Sequence, residues 1–289
     1  MQPEAKRFTT FVSGREVTYE TGKLAGQAGG AVTLRLGDSI VFASATMGEP
    51  REGIDFFPLT VEYEERMYAG GRIPGSFFRR EGRPSTEAIL VARLTDRPLR
   101  PLFPDGMRNE VQVIMFSLSA DKDNPLDILA INAASAAIMI SDIPWGGPVG
   151  AVRVGRINGE FVINPTFEQI EQSDLDLRMA GTRDAILMVE CGASEVTEDV
   201  MIRALEFGHR SLQPFIEAQE RMVAEIGKQK RAVALAVKDE SVLDAMFNRM
   251  QDEIQRIFDA PYDKATVYGS IDELRDRLTV ELAGEDETL

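Results

Sequence analysis

The stretch from Ile128 to Ile140, ILAINAASAAIMI, is apolar or small on every side, and no other segment constrains the fold as strongly. A helix of that composition has no face to turn to water, so the surrounding chain must cover it all round. It falls short of the roughly 20 apolar residues that span a bilayer, and Asn132 and Ser135 interrupt it. The expectation is a buried helix, Asp127 to Ser141, inside a larger body.

The covering layers are legible as hairpins. AVTLRLGDSIVFASAT, residues 31–46, alternates around Gly37-Asp38, a pair that tolerates positive φ. VGAVRVGR and EFVIN flank Asn158-Gly159, a type I′ signal, and residues 174–180 and 185–190 form a third pair. A strand near 57–61 precedes a long glycine-bearing loop, and residues 110–119 read as a buried strand. A helix capped by Ser85 or Thr86 carries Ile89, Leu90, Ala92 and Leu94 and is expected to stop near Pro98. Thr197-Glu198-Asp199 opens a long amphipathic helix expected to reach about Arg231. Beyond Ala236 only helical patterns remain, over 243–258 and 271–282, with a break at Pro261. This order predicts an α+β fold, helices on one face of a mixed sheet, followed by a small all-α module.

Charge is unevenly placed. The chain has 32 Lys+Arg against 47 Asp+Glu, net −15, which as a bulk property disfavours nucleic acid. Residues 66–108 nevertheless hold nine arginines, no lysine and four acids, a local net of +5. Arginine without lysine favours bidentate phosphate contacts and stacking on bases. Within this island Phe77 and Phe78 stand beside Arg79, Arg80 and Arg83 in a glycine-flanked loop, a combination suited to single-stranded RNA. The competing reading buries the two rings in the core and pairs the arginines with Glu81, Glu87 or more distant acids. Residues 237–289, with fourteen acids and six bases, read either as solvated helix faces or as a docking surface.

Several chemistries are excluded or disfavoured. One Cys allows no internal disulfide, and one Cys with one His cannot build a Cys/His zinc cluster. His209 falls in a helix with no nucleophile motif near it, Cys191 reads as a small buried residue, and Trp145 as the plug of a turn. The glycines around Lys23 have the wrong spacing for a nucleotide fingerprint. The first 30 residues carry no secretory h-region, so a cytoplasmic protein is expected.

Three long segments, residues 20–46, 77–104 (FFRREGRPSTEAILVARLTDRPLRPLFP) and 173–209, together resemble the first catalytic-core repeat of the bacterial polynucleotide phosphorylase family. The resemblance covers essentially the whole chain. It implies an RNase PH-like (ribosomal S5 domain 2-like) domain over residues 1–235 and an incomplete helical linker domain over 236–289, with the second RNase PH-like, KH and S1 domains absent. It implies a homotrimeric 3′-to-5′ phosphorolytic exoribonuclease acting on single-stranded RNA 3′ ends in mRNA degradation. It further implies inorganic phosphate as co-substrate, Mg²⁺ in the full-length enzyme, and partners in an RNA-degradation complex.

The implied site residues in this chain are RNA-binding: Phe77, Phe78, Arg79, Arg80, Arg83, Arg93, Arg97 and Arg100. No catalytic or metal residue is expected. By resemblance Asp176 matches the second of two family aspartates and Arg178 the following lysine, while Ile170 stands where the first aspartate would be. The family's serine-rich phosphate turn is matched around Asn132-Ala133-Ala134-Ser135, where most hydroxyls are gone. On a strand Asp174, Asp176 and Arg178 share one face, which reads more simply as a polar cluster than as a divalent site. Two functions stay open: a part of the enzyme supplying RNA contacts and trimer scaffold, or a non-catalytic RNA-binding and assembly module.

Overall fold

The computed structural model describes residues 4–75, 81–236, 240–261 and 263–283, and the chain divides into two units, Met1–Ala236 and Val237–Leu289. The first unit begins with β1 (Lys6–Val12), β2 (Arg15–Thr21), β3 (Gly30–Leu36), β4 (Ser39–Pro50), β5 (Leu59–Glu64) and β6 (Asn109–Ser119), with helix α1 (Thr86–Leu99) between β5 and β6. These strands form one sheet in the order β1-β2-β3-β4-β6-β5, antiparallel except for the parallel β5–β6 pair. Sequence reading does not anticipate β1 and β2. Their turn, Ser13-Gly14, takes φ of 50° and 77°, which gives the primed-turn geometry a hairpin needs.

Helix α2 (Asp127–Ile140) is the apolar stretch, and every residue from Ile128 to Ile140 is buried. It packs on β3 and β4, on α1, and on two later elements, β7 (Gly150–Ile157) and α4 (Glu198–Ile226). Gly30 makes the approach to β3 possible, because a Cβ there would collide with the Ala137 carbonyl oxygen. Each fully buried Leu or Ile contributes about 1.5–3 kcal/mol to this core.

The remaining strands, β8 (Glu160–Ile163), β9 (Leu175–Gly181) and β10 (Ile186–Ala193), join β7 in a separate antiparallel sheet of order β10-β9-β7-β8. The expected single mixed sheet is therefore two sheets, because α2 needs apolar cover on both sides and one sheet supplies only one. Asn158-Gly159 turns the β7–β8 hairpin with φ of 51° and 85°. A short helix, α3 (Phe167–Glu171), follows a Thr166–Gln169 capping box.

Helix α1 stops near Pro98 as expected, ending at Leu99 and tightening into a 3₁₀ turn over Arg100–Leu102. Two other helix boundaries differ from expectation. Helix α4 contains Pro214 and ends at Ile226, short of Arg231. From Gly227 the chain instead crosses the unit as an extended strap. The Lys228 and Arg231 amides donate to the carbonyls of Ile140 and Asp142 at 3.1 and 2.8 Å, and the Ala236 amide donates to Gly106 at 2.8 Å. Lys230 Nζ donates to the carbonyls of Ile138, Met139 and Ser141 at 3.0, 2.9 and 2.9 Å, closing the C-terminal end of α2. The second unit consists of α5 (Glu240–Asp259) and α6 (Lys264–Ala283), the latter starting earlier than the pattern over 271–282 suggests. Among the described residues Val267, Leu274 and Leu278 are buried, and Arg277–Glu253 at 2.6 Å ties the two helices.

Candidate nucleic-acid interface

The loop joining β5 to α1 is stapled at both ends. Glu81 Oε1 accepts from the Met67 amide at 2.7 Å, and its Oε2 pairs with Arg66 at 3.3 Å. Ser85 caps α1 by accepting from the Ala88 amide at 3.0 Å, and its hydroxyl donates to Glu65 at 2.8 Å. Arg66 is fully engaged: it also pairs with Glu64 at 2.6 Å, and its guanidinium lies 4.8 Å from the Phe116 ring centroid. A 3₁₀ turn, Met67–Gly70, follows, and its Ala69 carbonyl accepts from Ala120 beyond the end of β6 at 3.0 Å. These contacts frame a cleft of about 640 Å³ lined by Arg66, Arg72, Glu81, Arg83 and Ser85 among others.

The predicted site residues separate into three groups. Phe77, Phe78, Arg79 and Arg80 lie outside the described residues. Arg83 is exposed and lines the cleft, and Arg93 is exposed beside β5, lining a groove between that strand and α1. Neither forms an ion pair among the described residues. Arg97 and Arg100 are committed. Arg97 pairs with Glu190 on β10, while Arg100 grips Asp96 through two hydrogen bonds of 2.9 and 2.6 Å and also reaches the Leu59 carbonyl at 3.1 Å. Arg72 was not singled out by sequence, yet it lines the cleft and its guanidinium has no ion-pair partner among the described residues.

The Asp176 cluster is a network of carboxylate–guanidinium pairs. Arg153, 6% exposed, donates Nε and Nη2 to the two Asp176 oxygens at 2.6 and 2.7 Å. Arg178 lies 2.9 Å from Asp127 and 3.2 Å from Asp176, and Arg156 pairs with Asp174 at 2.8 Å. Burial pushes the Asp176 carboxyl up, but the Arg153 hydrogen bonds and the Arg153 and Arg178 charges outweigh it and hold the carboxyl below its usual range. A divalent cation does not fit, because both Asp176 oxygens and Asp174 Oδ2 are already held by guanidinium groups, which leaves Asp174 Oδ1 as the one oxygen of that pair without a hydrogen bond. Among the described residues no three His, Cys, Asp or Glu side chains gather as a metal site.

Asn132 to Ser135 sit inside α2, within the buried helix expected over Asp127 to Ser141, with no exposure. Asn132 bonds both the amide and the carbonyl of Ala151 at 3.1 and 2.9 Å, and Ser135 accepts from the Val149 amide at 2.9 Å, so these polar groups fasten the second sheet to the helix. Cys191 is exposed rather than buried, because β10 is an edge strand and its end turns outward. Trp145 does plug its turn, donating Nε1 to the Leu99 carbonyl at 2.9 Å, and His209 Nε2 meets the Thr182 carbonyl at 3.0 Å.

Two sheets around a buried helix, with an arginine-lined cleft where the parallel strand pair ends, define an α+β protein of the RNase PH-like class. Residues 13–144 match the 3′ exoribonuclease family, domain 1, and residues 147–211 match domain 2 of the same family. The chain belongs to the 3′ exoribonuclease family. It is 56% identical to a polyribonucleotide nucleotidyltransferase of Thermus thermophilus over 80% of this chain and 32% of that protein. It is also 45% identical to one of Koribacter versatilis over 99% of this chain and 36% of that protein. The chain thus spans about a third of the length of the curated relatives it matches. Among solved structures, rice Rrp46 superposes with a TM-score of 0.57 at 16% identity, covering 77% of this chain and 96% of that one. An Archaeoglobus fulgidus exosome with RNA bound to its active site gives a TM-score of 0.54 at 18% identity, covering 76% and 88%. No helix among the described residues is long and apolar enough to cross a membrane.

Proposed function

We propose that this chain is the RNA-contacting and trimer-scaffold part of a polyribonucleotide nucleotidyltransferase. That enzyme removes nucleotides from RNA 3′ ends in the cytoplasm, using inorganic phosphate with Mg²⁺ and releasing nucleoside diphosphates. The observation that carries the reading is the stapled cleft with its unpaired arginines, in a chain whose curated relatives bear that enzyme's name. Arg83 and Arg93 are free to meet phosphates, and Phe77, Phe78, Arg79 and Arg80 adjoin Arg83 in the sequence. Arg97 and Arg100 take a supporting role, holding α1 to β10 and to the start of β5.

A second reading, an RNA-binding and assembly module without activity of its own, is favoured by one observation. Asp176, the carboxylate that resemblance puts in a catalytic place, is gripped by Arg153 on both oxygens. Incubation of the chain with poly(A), Mg²⁺ and phosphate separates the two readings. No ADP release is expected, together with salt-dependent binding of oligo(A). Phosphate-dependent ADP release by this chain alone would overturn the non-catalytic assignment, and absence of oligo(A) binding would overturn the interface.

A further inference from the structure

We infer that Arg72 is a phosphate-binding residue of the cleft, acting with Arg83 on one phosphodiester of a bound RNA strand; this rests on the RNA reading above. Of the three arginines that line the cleft, Arg66 cannot serve, because Glu64, Glu81 and the Phe116 ring hold its guanidinium. Arg72 and Arg83 remain, both exposed and both without an ion-pair partner among the described residues.

The backbone at Arg72 is fixed in advance. Gly71 adopts φ of 68°, its amide donates to the Tyr68 carbonyl at 3.0 Å, and the Arg72 amide donates to the Met67 carbonyl at 2.9 Å. The turn that carries it is fastened to the end of β6 through Ala69–Ala120 and through the Arg66 amide, which donates to Ser117 Oγ at 3.0 Å. A pinned backbone spares the backbone share of the ordering entropy when Arg72 meets an anion, so that only the side chain has still to be ordered. Arg83 approaches from the other end of the same loop, two residues beyond Glu81, whose carboxylate closes that loop on Met67. Glu81 is then a positioning residue that sets the spacing of the two arginines.

The test is an anisotropy titration of fluorescent oligo(A) over a salt series, using the intact chain and its Arg72→Ala, Arg72→Lys, Arg83→Ala and Arg35→Ala variants. Arg35 lies on the six-stranded sheet away from the cleft and serves as control. Arg72→Ala is expected to weaken binding about 5- to 10-fold and to lower the salt slope by about one, while Arg72→Lys keeps the slope. Arg35→Ala is expected to change neither. Wild-type affinity and slope in Arg72→Ala, with Arg83→Ala impaired, would overturn the assignment of Arg72 and leave the RNA reading standing. No binding by the wild-type chain would remove both. A competition arm with inorganic phosphate separates the two sources of the anion: displacement of the oligonucleotide from wild type but not from Arg72→Ala would show that the site takes free phosphate and overturn the strand assignment.

Discussion

Arg153 holds Asp176 by two parallel hydrogen bonds, Nε to Oδ1 at 2.6 Å and Nη2 to Oδ2 at 2.7 Å, so one strand of the second sheet clamps its neighbour through a nearly buried charge pair. Neutralising Asp176 leaves Arg153 only its longer pair with Asp127, at 3.5 Å. Asp176→Asn is expected to cost about 2 kcal/mol at neutral pH, read as a lower midpoint in urea unfolding. The pH dependence follows from the lowered carboxyl. Asp176 contributes stability that is full above the unfolded carboxylate value, about 3.9, and is lost as pH falls through its lower folded value. The variant should therefore lose less stability than wild type on acidification below about pH 4. Equal acid limbs for the two proteins would contradict this.

Arg93 and Arg97 lie one turn apart on α1 with different commitments. Arg93→Ala should weaken oligo(A) binding several-fold and reduce its salt slope, whereas Arg97→Ala should leave the slope unchanged and instead lower thermal stability by about 0.5 kcal/mol, the scale of an exposed pair. The same titration with a thermal melt decides; an unaltered slope in Arg93→Ala would remove it from the interface.

Glu81→Gln keeps the size of the staple but removes its charge. The loop should open more often, so cleavage within residues 66–85 under limited proteolysis should accelerate while the melting temperature of the whole unit shifts little. Unchanged cleavage would show that Glu81 does not set the loop.

Gly30→Ala tests the packing of the buried helix. Its Cβ would meet the backbone at Ala137, which cannot move without shifting α2, so a loss above about 3 kcal/mol is expected, measured by chemical denaturation. A near-neutral result would mean that the helix and sheet can separate at little cost.

The hairpins at Gly37-Asp38 and Asn158-Gly159 and the buried helix were legible because each depends on local chemistry: positive φ at Gly37 and at both Asn158 and Gly159, and apolar side chains all round a helix. The division into two sheets was not, since it depends on which strands flank α2 in space. Asn132 and Ser135 show the same limit. Their polarity marks them as special, but only the proximity of Ala151 and Val149 reveals that they satisfy a neighbouring strand instead of a ligand. For the interface, sequence identified an arginine-rich loop but could not sort its members. Arg97 and Arg100 look like Arg83 in a string of letters, and the acids that occupy them, Glu190 and Asp96, are 93 and four residues away. Arg72 stood outside the aromatic cluster, so nothing local drew attention to it.

The strap that follows α4 has a mechanical consequence. Tension entering the first unit at Ala236 would meet its attachments one at a time: the Gly106 carbonyl first, then Arg231 on Asp142, then the three-carbonyl seat of Lys230, and last the Lys228 amide on Ile140. Each must yield before load reaches the final turn of α4, and Lys230 transfers part of that load to the end of α2, the most enclosed segment of the unit. A pull from the C-terminal side is thus shared with the central helix before α4 can unwind.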